Sequence, residues 1–531
     1  MVEHARIGIV DMGSNAIRFM VAEAAGTAHR IVESHRLPVR LGRAVFETGQ
    51  LPEAAVADTV DAFRRFRATC DRLGVDQTRA IATSAMRDAR NRELLVDRVR
   101  EASGFEIDVI SGTHEAYLLK VGIETRVDLS KGRSLLVDVG GGSVEIVVVD
   151  DGSVSSANSY RLGALRMLQA FPDAEGEALV DLLKKHLKGL QHRIREHLDG
   201  APIDRYLAVG GNIDSLADLI AAREAGKPDA GKSAVSKPEA DIDSCTIKSL
   251  RNEVDGLAKM SVEQRIKKFD LRPDRADTIL PAGVVYLHLG KLAGTSHVLV
   301  PRTGIKEGLL VESVRGGHRK FAAEDHVEVA LGSCRALGRR FHFEAHHAEA
   351  VLDLSRQLFD QTKKLHGLGK RARVLLDAAA LLHDVGVAVN NDGHHKHSKY
   401  LIESTELVGL GGYERHLVAM LARYHRKAAP SRDHVDFMAL RRRDRAMIER
   451  LAAILRIADA LDRQHAGVVS EIEVEIADDE LRLHPRLREG HDSRLTLEAT
   501  AVAAKGSLFA ALFGLQPRLI APTTAAPSTE S

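Results

Sequence analysis

The chain has no tryptophan, and its aromatic residues make up only 4% of 531 positions. That scarcity counts against recognition of nucleic acid by bases stacked on aromatic platforms, and no specific nucleic-acid partner is expected. Cysteine is scarce too: Cys70, Cys245 and Cys334 are scattered and odd in number. They frame neither a disulfide scaffold nor a zinc knuckle and read as free thiols of a reducing compartment. No apolar run reaches the roughly 18 residues that a bilayer-spanning helix needs, and no charged-then-apolar leader precedes the first apolar strand. The expectation is a cytoplasmic protein without a membrane partner. An excess of either charge is also missing. The 75 basic and 74 acidic residues leave a net charge of +1, so any pull on an anion must be local. What remains, 44% hydrophobic and 28% charged residues, is a globular composition long enough for several cores.

One stretch stands out from this background. Ser134 to Asp150 reads SLLVDVGGGSVEIVVVD, two β-branched apolar runs around Gly140, Gly141, Gly142 and Ser143. The pattern predicts a strand, a tight turn and a second strand. Asp138 ends the first run and Glu145 lies just past the turn. Successive glycines let backbone N–H groups approach an anion with no Cβ in the way. A carboxylate beside them can hold a divalent cation, directly or through water. Alone, the stretch fits a plain glycine-rich hairpin equally well. The element recurs, however, in Arg6 to Glu23, RIGIVDMGSNAIRFMVAE. Asp11 precedes Asp138, and Gly13 precedes Gly140, by the same 127 residues. Two copies in register predict two related lobes facing one phosphate site, with Asp11, Gly13, Ser14 and Asn15 on one side.

Strands and helices alternate after the first copy. Leu51–Leu73 has helical spacing, with Val56, Val60, Phe63, Phe66 and Cys70 on one face. A strand at Arg79–Thr83, a helix at Asn91–Ala102, a strand at Phe105–Ile110 and a helix at Glu115–Val121 follow. This order implies a mostly parallel sheet with function at the C-terminal strand ends. Arg87 follows one such end, as a fork for phosphate or as a solvated helix-entry arginine. Glu115 follows another, as an ordinary first-turn acid or as a base that activates water. Tyr206–Val209 forms a strand that runs into Gly210, Gly211 and Asn212 and then a helix over 213–222, again suited to an anion. Residues 223–240 read as a surface loop.

The segments DMGSNAIR, ATSAMRDA, ISGTHEA, VDVGGGSVE, RLGALRM, RADTILPAG and GIKEGLL occur in this order over about residues 5–315. Together they resemble the exopolyphosphatase and guanosine-pentaphosphate phosphohydrolase family of the actin-like ATPase superfamily. The resemblance implies an α/β core of two ribonuclease-H-like lobes, 1–125 and 126–315, with a cleft between them. It implies Mg²⁺-dependent (or Mn²⁺-dependent) attack of water on a terminal phosphoryl group. By position it makes Glu115 the catalytic base, Arg87 a phosphate ligand and Asp138 the metal-associated acid, with Glu145 nearby. Inorganic polyphosphate is then the expected substrate and guanosine pentaphosphate the alternative, acted on by a homodimer. An actin-like kinase or ATPase is disfavoured by the SGTHEA segment, and a non-catalytic nucleotide sensor by the intact Glu115. His114 departs from the family pattern, standing where many relatives carry a second acid.

Residues 316–470 become helix-rich. His347, the pair His383-Asp384, His394, His395 and His397 in a polar loop, His425, and Asp459 and Asp462 on a late helix resemble the metal-binding HD superfamily. The resemblance implies an all-α HD-like domain in which His347, His383, Asp384 and Asp459 hold a second metal, with His397 and His425 as additional ligands. Imidazole with carboxylate suits a transition metal or a Mg/Mn pair. Arg426, Lys427, Arg441, Arg442 and Arg443 form a basic run, either a solvated face or a channel for a long polyanion. A small α+β piece is predicted over 471–519, with strands at Ser470–Ile476, Glu480–Leu487 and Arg494–Thr500 and a helix at Lys505–Phe513. Residues 520–531 read as a disordered tail.

Overall fold

The structure, a computed structural model, describes residues 5–25, 28–198, 200–225, 242–316, 323–405, 407, 409–488 and 495–520. Most of the loop expected at 223–240 and of the tail expected at 520–531 therefore lies outside the described residues. The chain divides into two compact units, Met1–Asp325 and His326–Ser531.

The first unit holds two sheets built on one plan. Strands β1 (Ala5–Met12), β2 (Ile17–Ala25), β3 (Ala28–Leu37), β4 (Gln77–Ala82) and β5 (Ile107–Val109) lie in the order β3-β2-β1-β4-β5. Strands β6 (Arg133–Val139), β7 (Val144–Asp150), β8 (Ser153–Tyr160), β9 (Arg205–Val209), β10 (Asp243–Thr246) and β11 (His297–Val300) lie in the order β10-β11-β9-β6-β7-β8. Each sheet starts as an antiparallel three-strand meander whose first strand then pairs in parallel, β1 with β4 and β6 with β9. The central strands are nearly continuous Val, Ile and Leu because both faces are covered, as in buried parallel sheets. The helix Glu53–Leu73 buries the stripe Val56, Val60, Phe63, Phe66 and Cys70 against the first sheet. The Phe63 ring meets Phe105 edge-on at 5.3 Å between centroids, a favoured aromatic geometry.

The second unit packs the helices Ala345–Gln361, Lys370–Leu382, Gly412–Tyr424 and Arg442–Leu461 around one apolar core. Strands β12 (Val469–Ala477), β13 (Glu480–Leu487) and β14 (Gln516–Leu519) form a separate sheet. Two expectations fail here. His394 and its neighbours open a helix, His394–Ser404, instead of lying in a polar loop. The segment buries His394, His395, Ser398 and Ile402 four or so residues apart, so its buried face is mostly polar and hidden from a hydrophobic pattern. The strand expected at Arg494–Thr500 is replaced by the helix Thr496–Lys505. Leu495, Glu498 and Val502 are buried at helical spacing while Leu497 is 57% exposed, so the apparent alternation in LTLE is accidental. No single helix among the described residues is long and apolar enough to cross a membrane.

Candidate active site

The two glycine hairpins of the first unit superpose in register as well as in sequence. Across β1 and β2, Asp11 pairs with Arg18 and Met12 with Ile17. Across β6 and β7, Asp138 pairs with Glu145 and Val139 with Val144, each position 127 residues on. The turn bonds match too: Gly13 N–H donates to Ala16 O at 3.1 Å, and Gly140 N–H donates to Ser143 O at 3.0 Å. Gly142 is required by packing. A Cβ there would stand 2.3 Å from Phe46 Cζ and 2.4 Å from Ser84 Oγ. Gly210 is required by its backbone, at φ +102°, and a Cβ would also meet Asp138 Oδ1 at 2.7 Å.

Carboxylates crowd the space beside these turns. Glu115 lies on the helix Gly112–Glu124, which starts three residues earlier than expected because Ser111 caps it, accepting from His114 N–H at 3.2 Å. Arg87 donates to Glu115 Oε2 at 2.7 Å and to Ile110 O at 3.0 Å. Burial, helped by the Glu145 charge, pushes the Glu115 carboxyl up to about 8 against the pull of Arg87. Burial likewise raises Asp138 to about 7 although Arg18 opposes it. Glu145 rises to about 7 through burial and the facing Asp138. Ser159 Oγ donates to Glu145 Oε1 at 2.9 Å, while the buried Glu145 Oε2 has no hydrogen-bond partner. Crowded oxygen donors, one of them orphaned, fit a hard divalent cation such as Mg²⁺ or Mn²⁺. Asp11 differs, being neutralised by Arg18 at 3.0 Å.

A cavity of about 360 Å³ opens against these groups. Asp11, Gly13, Ser14, Asn15, Glu115, Asp138, Gly140, Gly141, Gly142, Ser143, Gly210 and Gly211 all line it, so the structure brings these sequence candidates together. Arg87 and Glu145 stand behind the wall, Arg87 on Glu115 and Glu145 opposite Asp138. Cations unremarked in the sequence reading complete the lining: Arg18, Arg36, Arg272, Arg275, Arg302 and Lys306. The Arg275 guanidinium is pushed down to about 10 by burial and by Arg18, Arg36 and Arg272. Like charges held together in this way mark a place for an anion. Arg18 could have been found from the repeat, since it stands 127 residues before Glu145. Ion pairs from Arg36 to Asp274 and Arg40 to Asp277, with Asn15 Nδ2 donating to Asp274 O at 3.1 Å, tie the two lobes together beside the cavity. His114 is engaged by Glu312 at 3.0 Å.

In the second unit, His347, His383 and Asp459 converge, as do Asp384, His394 and His425. His397 belongs to neither group, a correction to its expected place. It falls on the half-exposed side of the helix His394–Ser404, whereas His394 turns inward. The basic run is dispersed among local partners: Arg426 donates to His394, Lys427 pairs with Asp392 at 3.1 Å, Arg441 lies 5.6 Å over the Tyr413 ring, and Arg443 stands 3.8 Å from Asp444.

Comparison with known proteins bears on both units. The sequence matches the Ppx/GppA phosphatase family over residues 20–316 and its domain III over residues 330–504. A guanosine-5'-triphosphate,3'-diphosphate pyrophosphatase of Aeromonas hydrophila is 24% identical over 483 residues, 89% of this chain and 91% of the relative. A protein of the same name from Aliivibrio fischeri is 24% identical over 463 residues, 84% of this chain and 86% of the relative. Among solved structures, an exopolyphosphatase from Cytophaga hutchinsonii aligns with a TM-score of 0.54 and 22% identity, over 59% of this chain and 98% of its own. The Aquifex aeolicus member of the Ppx/GppA family aligns with a TM-score of 0.50 and 23% identity, over 60% of this chain and 100% of its own. The structural likenesses bear on the fold, which is the actin-like one expected for the first unit. The sequence match spans more than half of the chain and covers both glycine turns' lobes, and the chain belongs to the Ppx/GppA phosphatase family.

Proposed function

We propose that this phosphatase releases the terminal phosphate of inorganic polyphosphate by attack of water, with Glu115 as the base. The observation behind the reading is the placement of Glu115. It is 5% exposed, held by Arg87, and set in the wall of a cavity lined by two backbone turns and six Lys or Arg side chains. No Phe, Tyr or Trp lines that cavity, which favours a phosphate chain over a nucleotide base. The curated relatives' names favour guanosine pentaphosphate instead, and it is the second reading.

In the mechanism, the N–H groups around Gly13 and Gly140 to Ser143 hold oxygens of the terminal phosphate. Arg275 and its neighbouring arginines hold the preceding phosphates of the chain. Asp138 would bind Mg²⁺ with Glu145 behind it, and the ion when bound neutralises charge on the phosphate oxygens. Glu115, as the carboxylate, takes a proton from water as the water oxygen bonds to phosphorus. The bond from phosphorus to the leaving chain then breaks, and the shortened chain carries the charge away. A base tuned upward by burial lies close to the working pH, where proton transfer is most effective.

The test is phosphate release from long polyphosphate, guanosine pentaphosphate and ATP by wild type and Glu115→Gln with Mg²⁺. Polyphosphate is expected to be the best substrate, and the substitution should cost about 10²–10⁴-fold in kcat. Undiminished release from Glu115→Gln would sink the base, and release from guanosine pentaphosphate alone would sink the polymer reading. The active form is proposed to be a homodimer, which a solution mass near the 57.9 kDa monomer contradicts.

A further inference from the structure

The four inward-facing histidines of the second unit have their Nδ1 atoms spoken for. His383 Nδ1 lies 2.8 Å from Ala380 O, His394 Nδ1 lies 3.0 Å from Asn391 O, and His425 Nδ1 lies 2.7 Å from Ala422 O. His347 Nδ1 lies 2.8 Å from the Asp462 carboxylate. Carbonyls and carboxylates only accept, so each neutral ring carries its proton on Nδ1 and turns the Nε2 lone pair inward. Those lone pairs face each other in two couples. His347 and His383 bring their Nε2 atoms to 3.2 Å, and His394 and His425 to 3.3 Å. Two lone pairs at that separation repel unless a cation sits between them. Two nitrogens bound to one ion at about 2.1 Å stand about 3.0 to 3.4 Å apart, which matches both couples.

The carboxylates complete the arrangement. Asp459 turns Oδ1 to within 3.8 Å of His347 Nε2, while Lys505 holds its other oxygen. Asp384 spans both couples. Its Oδ2 lies 3.7 Å from His383 Nε2, and its Oδ1 lies 3.0 Å from His394 Nε2 and 3.3 Å from His425 Nε2. That Oδ1 is buried and receives no hydrogen bond. A buried anionic oxygen without a donor, facing two lone pairs, again calls for a cation.

We propose that the second unit holds a two-metal centre that hydrolyses a phosphate ester, separate from the Glu115 site. His347, His383 and Asp459 bind one ion, His394 and His425 bind the other, and Asp384 bridges them. Mixed imidazole and carboxylate donors suit first-row transition ions such as Mn²⁺, Fe²⁺ or Zn²⁺. The bonds from His347 to Asp462 and from Asp459 to Lys505 orient ligands from behind, as such partners do in metal sites. A cavity of about 530 Å³ reaches Asp384 and His394 and is lined by Arg426, Arg463 and His465. Cationic walls over paired metals select an anionic substrate. In the reaction the water oxygen bonds to phosphorus, the bond from phosphorus to the ester oxygen breaks, and a water proton passes to the departing alcohol.

Metal content of full-length protein, stripped with chelator and reloaded with Mn²⁺, is the direct measurement. Wild type should hold about two more equivalents than Asp384→Asn, as a two-metal site requires. His425→Asn should lose one and keep the other, with unchanged circular dichroism showing that both variants fold. Equal metal content in wild type and Asp384→Asn would overturn the centre. Hydrolysis of p-nitrophenyl phosphate and bis-p-nitrophenyl phosphate is then measured in the Glu115→Gln protein, which silences the first site. Turnover of either probe that vanishes on adding Asp384→Asn supports the activity. No turnover of either by metal-loaded Glu115→Gln protein, or turnover that survives Asp384→Asn, overturns it.

Discussion

The hairpins at Asp11 and at Asp138 share backbone, register and turn hydrogen bonds, yet carry opposite charges at matching positions. Arg18 faces Asp11 in one, and Glu145 faces Asp138 in the other. The first hairpin is thus an internally neutral phosphate turn. The second gathers uncompensated negative charge and leaves an orphaned carboxylate oxygen. A repeated backbone supplies two halves of an anion cradle, and one residue across the strand decides which half attracts a cation.

Matched substitutions break this comparison most severely at the two aspartates. Asp138→Asn should lower kcat for phosphate release by about 10²–10³-fold, the scale of losing a group that stabilises developing charge. It should also raise the Mg²⁺ concentration needed for half activity. Asp11→Asn should cost about tenfold and leave the Mg²⁺ requirement alone, since its partner is Arg18. Steady-state kinetics across a Mg²⁺ titration separates the two. Equal loss and equal Mg²⁺ dependence would show that the charge difference does not specialise the hairpins.

The turns themselves give a smaller contrast. Gly142→Ala must displace Phe46 and Ser84, so it should cost about 1–3 kcal/mol in stability and raise KM. At Gly13 the nearest obstacle to a Cβ is Ala16 O at 3.3 Å, so Gly13→Ala should cost less. Thermal unfolding of the pair measures the difference, and an equal fall in Tm would remove packing as the reason for the glycine triplet.

Much of this site was legible in the sequence because it is local. A strand, an acid and a glycine turn lie within ten residues, and the 127-residue repeat ties the two copies together. What was missed is set by pairing across the fold. Arg275 enters from a helix far along the chain, and Ser159 reaches Glu145 only because β8 lies beside β7. In the second unit the sequence marked His347, His383, Asp384 and His425 but favoured His397 over His394. Only the helix that starts at His394 decides which imidazole turns inward. The helix Thr496–Lys505 was hidden by a four-residue alternation too short to distinguish the two periods.

The smallest expected effect is the sharpest reading of the charge difference. Asp138 and Glu145 are raised to about 7, and Glu115 to about 8. Their unfolded values lie near 4. Between about pH 5 and pH 8 the folded, metal-free protein therefore keeps protons that the unfolded chain has released. Stability must then fall as pH rises through that window. In chelator, Tm should drop by several degrees from pH 5 to pH 8. Glu145→Gln should flatten the slope, because it removes one raised carboxyl and relieves the two others. Added Mg²⁺ should flatten it as well, since a cation does the work of the retained protons. Asp11→Asn should leave it unchanged. A Tm that rises with pH in chelator, or a slope indifferent to Glu145→Gln, would mean that the second hairpin carries no excess negative charge and that its metal role is misassigned.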